Sequence, residues 1–256
     1  MLTAASSDVN RWMHTNAVAA LGRGAALGPG ATRAELGPWL LVDAATHLAF
    51  FNVAVVIGPV AHAGVAAIQA RSWFARRGSD FCFLLRDQED RAIIDHLLAA
   101  GSRVEHDLPA LLRHPLPPAP PQADDLDIVP VTDPDRLAEY AAIGGEDQGI
   151  DRGVMTRIAS TAFATPGFQL LVGLSGGHPV ATSLALVTGP VVGVYNVNVL
   201  PSARRRGFGS SMTWAAMEYG RNQGCRAAFL ESTPMSHRLY ERMGFRVQYH
   251  YVQMSP

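Results

Sequence analysis

Apolar and polar positions recur along this chain in blocks whose period changes from two to about four and back. In the second half, Leu126 to Val131 reads as a strand and Asp133-Pro134 as a helix start, with Asp at the cap and Pro at the first helical position. Gly144-Gly145-Glu146-Asp147-Gln148-Gly149 reads as a flexible acidic loop, and Val154 to Phe163 as a second helix, stopped before Pro166. Phe168 to Leu174 and Val180 to Val187 make a hairpin around Gly176-Gly177. Val191 to Val199 is a fourth strand, alternating from Val194 to Val199, and Pro201 ends it because proline gives no N–H to a ladder. Met212, Ala215, Ala216 and Tyr219 share one face of the helix that follows. Ala227 to Leu230 is a strand, Ser236 to Arg242 a helix, and Phe245 to Gln253 a last strand. The fold class is therefore α/β with a mixed sheet.

The first half repeats this rhythm. A helix is expected over residues 7–27, with Trp12, Val18 and Leu21 on one side and Gly28-Pro29-Gly30 as its stop. Trp39 to Val42 and Leu48 to Ile57 read as strands, Gly64 to Arg77 as a helix, and Phe81 to Leu85 as a strand. Asp90 to Ala100 then reads as a helix and Ser102 to Leu108 as a strand. Aligning Gly101 with Gly244 sets Arg103 on Arg246 and Val104 on Val247, and Pro59 falls close to Pro201. We read the first half as a degenerate duplicate of the second. His62-Ala63-Gly64-Val65 stands where the second half has its arginines and paired glycines. Between the halves, Pro115, Pro117, Pro118, Pro120 and Pro121 make a stiff extended spacer. The expected domains are 1–114, a linker over 115–124, and 125–256.

Composition narrows the class. Hydrophobic residues make up 48% of the 256 and charged residues 17%, which suits a well-filled globular core. The formal net charge of −1 argues against a broad basic surface for nucleic acid. All 21 basic residues are arginine, which reads as coding bias. Cys82 and Cys225 form no C-x-x-C and read as buried thiols of a reducing compartment. No run of 18 apolar residues and no secretion pattern is present, so a cytoplasmic location without membrane association is expected.

The chemistry concentrates in Val197 to Thr213. A strand, a turn with Gly207-Phe208-Gly209 and a helix start together offer outward N–H groups and the positive end of a helix dipole, a place for a phosphate or diphosphate. A Walker loop is excluded because the chain has no lysine, and a dinucleotide fingerprint because Met212 stands where the third glycine belongs. What remains is R-x-x-G-x-G, Arg204 to Gly209, behind V-x-P at Val199 to Pro201. This resembles the acetyl-CoA-binding signature of the GCN5-related N-acetyltransferases, the GNAT family. The helix Leu239-Tyr240-Glu241-Arg242-Met243-Gly244-Phe245 is similar to that family's L-Y-E-x-x-G-F, and the element order over about 125–256 matches it. Many relatives carry Asn where Thr233 stands, which puts that contact with the pantetheine arm in doubt.

The resemblance implies an acyl-CoA N-acyltransferase fold, in tandem with a degenerate GNAT-like N-terminal domain. It implies acetyl-CoA as acyl donor, no metal, and a primary amine as acceptor. Small metabolite amines, aminoglycoside-like sugars and peptide N-termini all stay open. It places the cofactor against Val197, Asn198 and Val199, against Arg204, Arg205, Arg206, Gly207, Phe208, Gly209 and Ser210, and against Thr233. Tyr240 becomes the general acid toward sulfur and Glu231 a candidate base. Glu146 and Asp147 could instead draw in a cationic amine, and strand alternation turns one of Tyr195 and Asn196 toward the cleft. A monomer or homodimer is expected. The alternative from another class is a non-catalytic acyl-CoA sensor or scaffold.

Overall fold

The computed structural model describes residues 6–25, 30–121 and 123–256. Among them, no helix is long and apolar enough to cross a membrane. The chain folds into two compact units. The N-terminal unit holds the described residues of Val18–Ala110 with Glu231–Thr233 and Val247–Pro256. The C-terminal unit holds Leu111–Leu230, Pro234–Arg246 and the described residues up to Ala17.

The chain begins with helix α1 (Ser6–Ala20), which passes into a π-helical turn at Leu21–Ala25. This is shorter than the helix expected over 7–27, and the expected stop at Gly28-Pro29 lies outside the described residues. Strand β1 (Thr32–Leu36) escaped the sequence reading because Thr-Arg-Ala-Glu-Leu carries too little apolar character. Next come β2 (Trp39–Asp43), β3 (Val53–Val56), α2 (Ala63–Ala75), β4 (Cys82–Arg86), α3 (Arg91–Ala99) and β5 (Val104–Arg113). The strand expected over Leu48 to Ile57 starts only at Val53. Ala49–Phe51 is a 3₁₀ turn, fixed by buried Asn52, whose amide donates to the carbonyls of Thr46 and Asp80. In this unit the strand order is β1-β2-β3-β4-β11-β5, where β11 (Arg246–Met254) comes from the far end of the chain. β3 and β4 run parallel, while β11 runs antiparallel to β4 with Tyr251 opposite Arg86. The core gathers Trp39, Phe74, Phe83, Leu85, Ile93 and Met254 beneath α2 and α3.

The C-terminal unit runs β6 (Asp127–Pro130), α4 (Pro134–Gln148), α5 (Arg152–Ala164), β7 (Phe168–Ser175), β8 (His178–Thr188) and β9 (Val191–Val199). It continues through α6 (Phe208–Asn222), β10 (Ala227–Glu231) and α7 (His237–Arg242). The order in its sheet is β10-β9-β8-β7-β6. Asp133 caps α4 by accepting from the Arg136 N–H at 2.9 Å, and Asp151 caps α5 from the N–H groups of Gly153 and Val154. The expected acidic loop is absent. Gly144 through Gln148 continue α4, and Gly149 closes it in the left-handed conformation. Gly144 and Gly145 are packing positions: an added Cβ would lie 2.7 Å from Met155 Cε and 2.9 Å from the Ile150 carbonyl, respectively. They let α5 lie close against α4.

Two features of β9 prepare the site. It pairs parallel with β10 only as far as Gly193, opposite Phe229, so from Val194 to Val199 its edge on that side is open. Its antiparallel register with β8 also slips, because Thr182 faces Asn198 but Leu184 faces Tyr195. The extra residue lies at Asn196, whose φ of 48° is left-handed.

Candidate active site

A cleft of about 450 Å³ opens at the end of β9. Its lining comes from Val197 and Val199 on β9, from Arg204, Arg205 and Gly207–Ser210, from Asp147 on α4, and from Met235, Ser236, Leu239, Tyr240 and Arg242 around α7. All of these belong to the C-terminal unit.

Local sequence explains the cradle. Pro201 stops β9 and a 3₁₀ turn covers Pro201–Ala203. Arg205 and Gly207 then take left-handed φ values of 65° and 85°, folding the segment so that α6 starts at Phe208. The N–H groups of Phe208, Gly209 and Ser210 have no carbonyl one turn back to bond, and they stand at the positive end of α6. A Cβ built on Gly207 meets nothing within 4 Å, so the turn borders open space. Successive amides in such a concave turn suit a diphosphate.

The three arginines do three different things. Arg204 donates from Nε to the Val199 carbonyl at 3.1 Å and from its other end to Asp147 at 2.5 Å. Arg205 lines the cleft and is exposed. Arg206 turns away to Asp125 and to Ser175 Oγ, with its guanidinium 4.5 Å from the centroid of the Phe208 ring, and it does not line the cleft.

Tyr240 is the buried polar group of the lining, 6% exposed, with its ring edge-on to Phe245. Burial raises its phenol above the ordinary tyrosine range, partly opposed by hydrogen bonds with the Thr213 and Ser236 hydroxyls. It is therefore protonated at neutral pH. Thr213, fully buried, is anchored on the Gly209 carbonyl at 2.8 Å, so the helix that offers the amides also positions the phenol.

Not every predicted residue gathers here. Asn198 points away and is buried, donating to Thr182 Oγ1 and the Asn196 carbonyl and accepting from Gln148. Neither Tyr195 nor Asn196 lines the cleft. The bulge sets Tyr195 on the α4–α5 face with Leu184, and its hydroxyl bonds Asn16 of α1. Glu146 is exposed on α4, Thr233 is exposed, and neither lines the cleft. Glu231 ends β10 outside the lining, half-buried, and burial pushes its carboxyl up to about 7. The sequence reading missed Thr213, Met235, Ser236, Leu239 and Arg242. Leu239 and Arg242 lay inside the quoted helix motif, and Thr213 lies one helical turn beyond Gly209.

Residues 144–245 match the family model described as Acetyltransferase (GNAT) family. Over this segment the chain is similar to GNAT acetyltransferases. No curated protein matches the sequence. Among solved structures, a GCN5-related N-acetyltransferase from Kribbella flavida aligns with a TM-score of 0.74 at 20% identity, over 100% of this chain and 96% of that one. A GCN5-related N-acetyltransferase from Sphaerobacter thermophilus aligns at 0.63 and 18%, over 87% and 82%. A tandem GNAT protein from the clavulanic acid biosynthesis pathway aligns at 0.58 and 15%, over 80% and 74%. At these identities the likeness is one of fold, and it extends over both halves of this chain. Among the described residues, no group of three or more His, Cys, Asp or Glu could hold a metal ion.

Proposed function

We propose that this protein is an acetyl-CoA-dependent N-acetyltransferase acting on a primary amine, with residues 125–256 as its catalytic domain and 1–114 as a degenerate GNAT-like partner. The carrying observation is that a buried, protonated phenol and a cradle of unpaired amides line one cleft. The amides from Gly207 to Ser210 hold the diphosphate, and Arg205 and Arg242 add positive charge around it. The open edge of β9 beside Val197 offers main-chain groups to the pantetheine arm, while the Val199 carbonyl is already taken by Arg204.

Bound acetyl-CoA supplies an acyl group already activated as a thioester. Tyr240 gives its phenolic proton to sulfur as the C–S bond breaks, and the amine nitrogen forms the new C–N bond by direct attack. The amine must lose a proton, and Glu231 is the candidate acceptor. A carboxyl at about 7 is half ionised near neutral pH, where a base works best. The test is release of free thiol from acetyl-CoA over a panel of amines. No thiol release by the wild-type protein with any amine, despite CoA binding, favours a non-catalytic sensor instead.

A further inference from the structure

The Asp147–Arg204 pair bridges two walls of the cleft. Asp147 stands on the last turn of α4 and Arg204 just before the amide cradle, and their side chains are 12% and 39% exposed. Among the described lining residues the charged groups are Asp147, Arg204, Arg205 and Arg242, so Asp147 is the sole carboxylate. An anion there is poorly placed on its own. The C-terminal end of a helix carries partial negative charge, and the nearly buried carboxylate has lost most of its water. Arg204 compensates it. The same guanidinium adjoins the cradle, where an arriving diphosphate competes for it through strong charge-assisted hydrogen bonds.

We propose that Asp147 is an acceptor-recognition residue held in check by Arg204. The diphosphate draws the guanidinium off the carboxylate, and the freed Asp147 takes a cationic group of the acceptor. A carboxylate that holds an ammonium group favours its protonated form, so the held group is not the nucleophile. The acceptor class is then an amine with a second basic group: one nitrogen stays charged on Asp147 while the other, neutral, attacks. This rests on the acetyl-CoA reading above. It also makes CoA and such an acceptor bind with positive, reciprocal coupling.

The test is calorimetric titration of CoA into the full-length wild-type, Asp147→Asn and Arg204→Met proteins, with 1,4-diaminobutane, butylamine or neither present. In the wild type the diamine should tighten CoA about fivefold or more, and butylamine should not. Asp147→Asn should bind CoA more tightly than wild type and lose the diamine effect. Arg204→Met should bind CoA more weakly and bind the diamine without CoA. A diamine effect absent from the wild type or persisting in Asp147→Asn overturns the proposal, as does CoA affinity that fails to rise in an Asp147→Asn protein with an unchanged melting temperature. Failure of the wild type to bind CoA at all strikes the cofactor reading itself.

Discussion

The Tyr195 hydroxyl donates to Asn16 Oδ1 at 2.5 Å across 179 residues of chain. The Asn16 amide also donates to the Leu186 carbonyl at 2.9 Å and to Thr188 Oγ1 at 2.7 Å, and its side chain is fully buried. Helix α1 is thereby bolted to the β8–β9 hairpin. Gly193 makes room for it, since an added Cβ would fall 1.9 Å from Asn16 Oδ1 and 2.5 Å from the Tyr195 ring. Gly193→Ala should cost about 1–3 kcal/mol or more by overpacking. Combining it with Asn16→Ala should cost less than the sum of the two single changes, because one clashing atom is gone. Chemical denaturation of the four proteins checks this, and strict additivity would contradict it.

Tyr240→Phe should lower kcat by about 10²-fold or more while leaving CoA affinity nearly unchanged, because the ring packing survives and only the proton is lost. Thiol release measured with a disulfide reagent reads this cleanly. Cys82 and Cys225 are buried, and burial pushes their thiols up to about 12 and about 11, so the folded protein should consume little reagent. Equal kcat in the two proteins would remove Tyr240 from the mechanism.

Much of the fold was legible because strand alternation, capping aspartates and stop glycines act locally. Gly101 and Gly244, aligned from sequence, both close helices with φ near 90° (93° and 83°). The departures come from tertiary contacts. Gly144 and Gly145 signal flexibility locally, yet they are close-contact positions created by α5 and the turn that leads into it. The bulge at Asn196 shifts strand alternation by one, and the sequence carries no mark of it, so alternation alone turns Tyr195 or Asn196 toward a cleft that neither lines. The R-x-x-G-x-G spacing located the cradle but not the separate fates of its arginines. Asp125, Asp147 and the Val199 carbonyl decide those, and two of these partners are more than 50 residues away.

The two α4 glycines separate packing from propensity. Alanine in an exposed helix interior is favoured over glycine by about 1 kcal/mol. At Gly144 the obstacle is the mobile end of Met155, whereas at Gly145 it is the Ile150 carbonyl, which cannot turn aside. Gly144→Ala should be near neutral, and Gly145→Ala should lower the melting temperature by several degrees, roughly the effect of 1–2 kcal/mol. The reverse ranking would show that the Ile150 carbonyl gives way more easily than the Met155 side chain.

Glu231 gives a pH signature in both activity and stability. If its carboxylate takes the amine's proton, kcat/KM should rise with pH through about 7, and Glu231→Gln should lower the rate and flatten that limb. Stability should move the opposite way. The folded-state value lies above the ordinary carboxylate value of 4.5, so the folded protein binds more protons between the two. Stability should therefore fall as pH rises from about 4.5 to about 7 and be unaffected by this group at higher pH. Subtracting the Glu231→Gln denaturation profile from that of the wild type isolates the slope. A flat difference would show that the carboxyl is solvated.

Gly207 tests the cradle directly. Its φ of 85° is strained for any side chain, although a Cβ there meets nothing within 4 Å. Gly207→Ala should therefore cost about 1 kcal/mol of stability through backbone strain alone and weaken CoA only modestly. Gly207→Glu carries the same strain and adds an anion where the diphosphate would sit, at a helix N-terminus whose amides the new carboxylate could occupy itself. CoA should raise the melting temperature of the wild type and of Gly207→Ala, and the shift should vanish in Gly207→Glu. The two variants share the backbone penalty, so the contrast between them isolates the charge at the cradle. A CoA shift retained in Gly207→Glu would place the diphosphate elsewhere.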